Sequence, residues 1–301
     1  MTDKQRFSRI GFSYFAMMLL TQLLASVCQM ALYAFAPASV MENGWMTWLT
    51  SYGPLYLVAV PVFLWMMQRL VPDGGAQPGG DRFPAGRWGR LVVLIFGLMY
   101  LCNYASLLLT WVFTGQLANA LDMAVSGNGW LPNLIFGVIV APIGEEFLFR
   151  WVLWRKMGQY GDKAYILLGG VIFALFHGNL SQLLYAFFIG AIFCWVYART
   201  GKLAYTIALH VGINFVGMVL APLALQNQVA LILLGVLILG SIIGAGIILA
   251  LYAKRTPYAP PQMEDAPAHP VRRALTAPGM LFYIALCLVL VVVMLLMIRQ
   301  G

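Results

Sequence analysis

Two of the chain's ten acidic residues lie inside an apolar run, and they are neighbours: Glu145 and Glu146, in LPNLIFGVIVAPIGEEFLFRWVLW, with Arg150 four residues on. A carboxylate at membrane depth costs several kcal/mol unless it is paired, hydrated or neutralised. Two adjacent ones add like-charge repulsion. On a helix Glu146 and Arg150 share a face, acid first, in the order that favours an ion pair. Glu145 then points about 100° away and faces something else. A hydrated pocket is the least costly surrounding, and a carboxylate there can work as a general base. The other use of such a pair is to tie neighbouring helices together. Two histidines join the set. His177 ends AYILLGGVIFALFHG, and His210 lies in KLAYTIALHVGINF with Asn214 four residues later on the same face. A lone intramembrane histidine is often only an interhelical hydrogen-bonding group. Two of them, an aligned asparagine and a carboxylate pair in three separate runs carry the residue types of acid–base chemistry. His269 sits in a Pro-rich stretch and is given no role.

Helices must bring these residues to one depth. Hydrophobic residues make up 62% of the 301 and charged residues 9%, and apolar runs of membrane-spanning length recur along the chain. That composition is an all-α, polytopic helical membrane protein of eight or nine transmembrane helices around a central catalytic bundle. Nine runs are read as helices: 11–36, 48–68, 91–113, 131–154, 164–178, 181–198, 202–222, 228–252 and 279–298. The first is too long for a signal-peptide core and lacks a cleavage-like end, so it is read as a retained span. With a cytoplasmic N-terminus, 17 of the 18 Lys and Arg residues fall in or toward the cytoplasm and only Arg299 falls outside. Glu42 and Asp122 then lie on the far side, in segments without Lys or Arg. The net charge of +8 is thus a topology signal, and the absence of a contiguous basic surface excludes a nucleic-acid partner. At ~1.5 Å per residue, Glu145 lies ~15 Å from Arg155, His210 ~12 Å from Lys202 and His177 ~21 Å from Lys163. All three converge near the middle of a ~30 Å hydrocarbon core. The run ending at His177 is short and is read as stopping before the far face or tilting.

The segment 71–90 is rich in Gly and Pro, and 253–279 is rich in Pro and Ala; both are read as flexible cytoplasmic linkers. They divide the chain into a transmembrane hairpin at 1–70, a core at 91–252 and a last helix at 280–301. No internal repeat supports an inverted-repeat transporter. Cys28, Cys102, Cys194 and Cys287 lie singly in separate runs, which reads as packing and not as a metal or disulfide framework.

Three intramembrane protease chemistries have motifs absent from this chain: G-x-S-x-G, H-E-x-x-H and paired intramembrane aspartates. The motifs present are EEFLFR, FALFH and HVGIN, which match E-E-x-x-x-R, F-x-x-x-H and H-x-x-x-N in order. In this the chain resembles the CPBP family, the CAAX-protease and bacteriocin-processing (Abi) group that contains the type II CAAX prenyl endopeptidases. The resemblance covers Glu145 to Asn214. It implies an integral-membrane endopeptidase with Glu145 as general base, supported by Glu146 and Arg150. His177 would position or activate the water, His210 and Asn214 would stabilise the oxyanion, and Phe173 would pack one turn before His177. Water activation needs a tuned carboxylate or imidazole, and an oxyanion needs fixed donors, so the residue types agree with that division. No metal is favoured. Zinc on Glu145, His177 and His210 is the alternative, although these ligands come from three separated runs and asparagine is a poor zinc ligand.

The function read from the sequence is therefore an intramembrane endopeptidase, cutting a membrane-associated peptide or protein at a site accessible from the cytoplasm. It sits as a multi-pass protein in the cell (inner) membrane. The alternative is a non-proteolytic bacteriocin-immunity or regulatory scaffold that binds a lipid or isoprenoid in the same cavity.

Overall fold

A computed structural model of the chain describes residues 1–41, 43–119, 123 and 126–300. Glu42 and Asp122, the acidic residues read as marking the far face, lie outside the described residues. Nine long helices follow in order: α1 Asp3–Phe35, α2 Gly44–Leu70, α3 Ala85–Thr114, α4 Trp130–Tyr160, α5 Asp162–Phe176, α6 Leu180–Thr200, α7 Leu203–Ala224, α8 Gln228–Arg255 and α9 Pro278–Gln300. Eight of them are long and apolar enough to cross a membrane. The exception is α5, whose 15 residues span only ~22 Å. The molecule is an all-helical, polytopic membrane protein, and no strand occurs among the described residues.

Helix limits follow local chemistry. α1 starts eight residues before the expected boundary, because Thr2 and Gln5 form a capping box, each side chain bonding the other's backbone N–H. It stops at Ala36, held extended before Pro37. Asn43, Asn179 and Asn227 cap α2, α6 and α8 by accepting backbone N–H bonds. Prolines inside α2, α4 and α7 adjoin stretches with π-helical hydrogen bonding: Leu55–Ala59, Asn133–Val140 and Val216–Leu220. A fourth such stretch, Phe147–Val152, directly follows the glutamate pair.

One core runs through α1, α2, the second half of α4, α5, α6 and α9, with Phe7, Tyr14, Phe63, Phe149, Tyr165 and Tyr283 fully buried in it. Helices assigned to opposite ends of the chain thus meet at its centre. The Tyr14 hydroxyl of α1 donates to the Leu148 carbonyl at 3.1 Å, and the Tyr283 hydroxyl of α9 donates to the Ile172 carbonyl at 2.8 Å. Cys102, Cys194 and Cys287 are buried free thiols, in keeping with a packing role.

The two stretches expected to be flexible are docked. They form little regular structure, yet Gly74 N–H donates to Arg155 O, Gly79 N–H to Ala198 O and Asp81 N–H to Arg199 O, at 2.7, 2.7 and 2.9 Å. The indole N–H of Trp154 donates to Ala76 O at 3.1 Å. Asp73 holds Lys156 at 2.6 Å and also pairs with Arg155, while Asp81 holds Arg199 at 2.9 Å. The Pro-rich stretch is tied through Asp162, whose carboxylate accepts from Ala259 N–H at 2.7 Å, and through Gln262 N–H to Gln159 O at 2.9 Å. Composition implied freedom because Gly and Pro form no ladder of their own. Here the carbonyls at helix ends, which lack helical partners, take up those backbone N–H groups.

Candidate active site

α4 is the helix that carries the glutamates, and its backbone is unusual where it matters. In π-helical bonding each carbonyl pairs with the N–H five residues on. For Gly137 that residue is Pro142, which has no N–H. The Gly137 carbonyl instead accepts the side-chain amide of Asn214 in α7 at 2.8 Å. The Val140 carbonyl accepts the Tyr56 hydroxyl of α2 at 3.4 Å. In the second π stretch the Leu148 carbonyl takes Tyr14, and the Arg150 carbonyl takes the Tyr165 hydroxyl at 3.1 Å. Irregular backbone at membrane depth is thus satisfied by side chains of four neighbouring helices, which fixes the rotation of α4 about its axis.

That rotation separates the two carboxylates. Glu146 and Arg150 are fully buried, with Arg150 Nε 2.9 Å from Glu146 Oε2 and Arg150 Nη2 donating to Oε1 at 3.0 Å. The guanidinium lies 4.5 Å from the Phe173 ring centroid and 5.4 Å from that of Phe193, so its charge is met by a carboxylate at the edge and π faces elsewhere. His210 Nδ1 lies 2.8 Å from the same Glu146 Oε1. An ionised Glu146 only accepts, so Nδ1 carries the hydrogen. The spacing alone paired Glu146 only with Arg150; in the structure the imidazole also lies between the two glutamates, bonding Glu146 through Nδ1 and turning Nε2 toward Glu145 Oε2 at 3.8 Å. The two nitrogens point along different directions of one ring, and a glutamate pair splayed about one helix can meet both.

Glu145 Oε2 is buried and has no hydrogen-bond partner in the protein. It borders a cavity of about 290 Å³ whose lining includes His177, His210 and Asn214. The four residues named from three separate sequence runs are therefore gathered in one place. His177 caps the short α5; its Nδ1 lies 2.8 Å from the Phe173 carbonyl, an acceptor, so the ring's Nε2 is left for other partners. Phe173 packs edge-on against both His177 and His210, at 4.8 and 5.9 Å between centroids. It thereby sits between Arg150 and the two imidazoles. One hydrogen of the Asn214 amide is used on Gly137 and the other is not committed there.

Sequence reasoning missed the contribution of α2. Trp48 and Tyr52 line the cavity beside Glu145, as do Gln182 and Tyr185 of α6. Tyr56, one turn further along α2, approaches α4 closely because Gly144 lacks a Cβ, which would collide with the Tyr56 hydroxyl. The signal was present: Trp45, Trp48, Tyr52 and Tyr56 fall at helical spacing on one face of α2, and the last three meet edge-on in sequence, with Trp48–Tyr52 at 4.9 Å and Tyr52–Tyr56 at 5.5 Å.

Among the described residues no group of three or more His, Cys, Asp or Glu side chains is placed to hold a metal ion. Glu146, which takes His210 Nδ1, is itself neutralised by Arg150.

Fold and site together define a helical integral membrane protein with a buried glutamate–histidine cavity. Residues 127–216 match the family model described as type II CAAX prenyl endopeptidase, Rce1-like. All three motifs, from Glu145 to Asn214, lie inside the matched segment, in keeping with the motif resemblance. No curated protein and no solved structure matches the chain.

Proposed function

We propose that this protein is an intramembrane endopeptidase in which Glu145 activates a water molecule for attack on a peptide carbonyl. The observation that carries this reading is the Glu145 carboxylate itself, whose buried Oε2 makes no hydrogen bond in the protein and which borders a cavity shared with His177, His210 and Asn214. An unsatisfied buried acceptor is costly for packing and serves a reaction that supplies it with a proton. In the proposed step Glu145 takes a proton from water and the hydroxide oxygen bonds to the scissile carbon. The carbonyl π electrons move onto its oxygen. His177, oriented by the Phe173 carbonyl, holds the water through Nε2. The uncommitted hydrogen of Asn214 donates to the oxyanion, and His210 Nε2 would add a second donor only in the cationic ring, where both nitrogens carry hydrogen. Collapse of the intermediate breaks the C–N bond, and Glu145 returns its proton to the leaving amine. Glu146 and Arg150 keep His210 in the orientation this requires.

The substrate class is a membrane-associated peptide or protein reaching the cavity from the cytoplasmic side. The N-terminus is cytoplasmic in this proposal, supported by the placement of 17 of 18 Lys and Arg residues, and the host membrane is the cell (inner) membrane. The test is cleavage of a membrane-tethered peptide library by the purified full chain. Glu145→Gln is expected to lose about 10²–10⁴-fold in rate, the usual contribution of a general base. A Glu145→Gln protein that is folded and cleaves at the wild-type rate sinks the mechanism. A non-proteolytic role is favoured if wild-type protein cleaves nothing and Glu145→Gln still supports its cellular function.

A further inference from the structure

Three arginines stand together at one end of a cleft that the proposed reaction does not use. Arg87 and Arg90 lie in the first turns of α3, and Arg255 ends α8. Among the described residues none of them forms an ion pair. Arg87 lies 4.8 Å over the Phe83 ring and Arg90 4.8 Å over the Tyr252 ring. Such contacts engage the face of a guanidinium and leave its edge N–H donors to an anion.

Below the arginines runs a cleft of about 410 Å³, within the size range of ligand sites. Its apolar walls are Leu94 and Leu98 of α3, Phe188 and Ile192 of α6, and Ile248 of α8, and no carboxylate lines it. It shares no lining residue with the Glu145 cavity. At Gly97 the backbones of α3 and α8 touch, and a Cβ there would collide with the Ser241 carbonyl. Toward the arginines the cleft occupies the space between them. From Arg87 to Leu98 its wall extends ~16 Å along α3. That is about half of a ~30 Å hydrocarbon core, the depth of one leaflet. The indole N–H of Trp195, in the same wall, is buried and donates to nothing in the protein.

We propose that this cleft binds an anionic membrane phospholipid, with its phosphate on Arg87, Arg90 and Arg255 and one acyl chain laid along α3. An apolar wall of one-leaflet depth accommodates any acyl chain. Three cations at its mouth without a carboxylate select a head group of net negative charge.

The test uses the purified full chain in neutral detergent, titrated with phosphatidylglycerol or phosphatidylcholine and followed by native mass spectrometry and thermal unfolding. Phosphatidylglycerol is expected to bind at least about ten-fold tighter, and to raise the midpoint further, since each basic side chain near a head group adds to the attraction. The Arg87→Gln/Arg90→Gln/Arg255→Gln protein is expected to bind the two lipids about equally. Leu94→Trp, which fills the cleft without changing charge, is expected to weaken both. Arg272→Gln/Arg273→Gln, outside the cleft, is expected to keep the wild-type preference. Equal binding of both lipids by wild type overturns the proposal, as does an undiminished preference in the triple variant. Inorganic phosphate that displaces phosphatidylglycerol and reproduces its midpoint shift overturns it in favour of a free-anion site.

Discussion

A carboxylate bonded to both an arginine and an imidazole responds to losing its charge differently from a neighbour that meets the same imidazole only at long range. Glu146 is the common acceptor of Arg150 and His210, all three buried. Glu146→Gln leaves the guanidinium without its counter-ion, and breaking a buried pair from one side costs about 3–5 kcal/mol. Glu145 is different: its Oε2 lacks a hydrogen bond, and its nearest charged contact is His210 Nε2 at 3.8 Å. Glu145→Gln removes a carboxylate that has only this long contact and no hydrogen bond at Oε2, so its unfolding midpoint is expected to stay well above that of Glu146→Gln while cleavage is lost. Thermal unfolding of both variants in the same detergent reads this directly. A midpoint for Glu145→Gln as low as that for Glu146→Gln would show that both carboxylates serve as struts between helices.

Among the elements, α4 owes its function to departures from a regular helix. Pro142 withholds an N–H from the Gly137 carbonyl, and carbonyls along the irregular stretches of α4 accept Asn214, Tyr56, Tyr14 and Tyr165 from other helices. The end of α4 is secured differently, by the Gly/Pro-rich stretch before α3. Burial alone would raise the Asp73 carboxyl, but hydrogen bonds and charge from Lys156 and Arg155 outweigh it and hold it below the usual carboxylate value. A group depressed in the folded state contributes stability above its unfolded pKa of ~3.9 and loses that contribution as pH falls through the folded value. The docked stretch is therefore expected to stay protected from protease and from hydrogen exchange at neutral pH, and to open below about pH 4. Asp73→Asn is expected to open it at every pH. Protection that is flat across this range, or unchanged in Asp73→Asn, would assign the docking to the backbone bonds at Gly74 and Gly79 alone.

At the scale of the whole molecule, the first and last helices are part of the core that supports the site. Tyr14 and Tyr283 stand 5.8 Å apart between ring centroids, and each hydroxyl satisfies a carbonyl of a site-bearing helix. Tyr283→Phe removes a second hydrogen bond to the Ile172 carbonyl, which keeps its place in the α5 ladder, and is expected to cost about 0.5–1.5 kcal/mol in a reversible unfolding measurement. Because the rings touch, the Tyr14→Phe/Tyr283→Phe protein is expected to depart from the sum of the single variants. Strict additivity would mean that α1 and α9 brace the site independently.

How much of this was written in the sequence varies with the range of the interaction involved. Hydropathy is local, so nine apolar runs located nine helices to within a few residues at most ends, and the shortness of the run before His177 was visible as 15 residues in α5. The four-residue spacing of Glu146 and Arg150 is also local, and their pairing followed from helix geometry. The three motifs were legible because they consist of residue types that an apolar run otherwise excludes. The helices that lie beside α4 are set by packing between positions far apart in the chain. Only the tertiary structure could place the α2 aromatics against Glu145, let His210 span both glutamates, or show Gly- and Pro-rich stretches docked on helix ends. Local sequence determines what each segment can become. The neighbours that satisfy its irregular carbonyls and buried charges are chosen by the fold as a whole, because each of those partners comes from another helix.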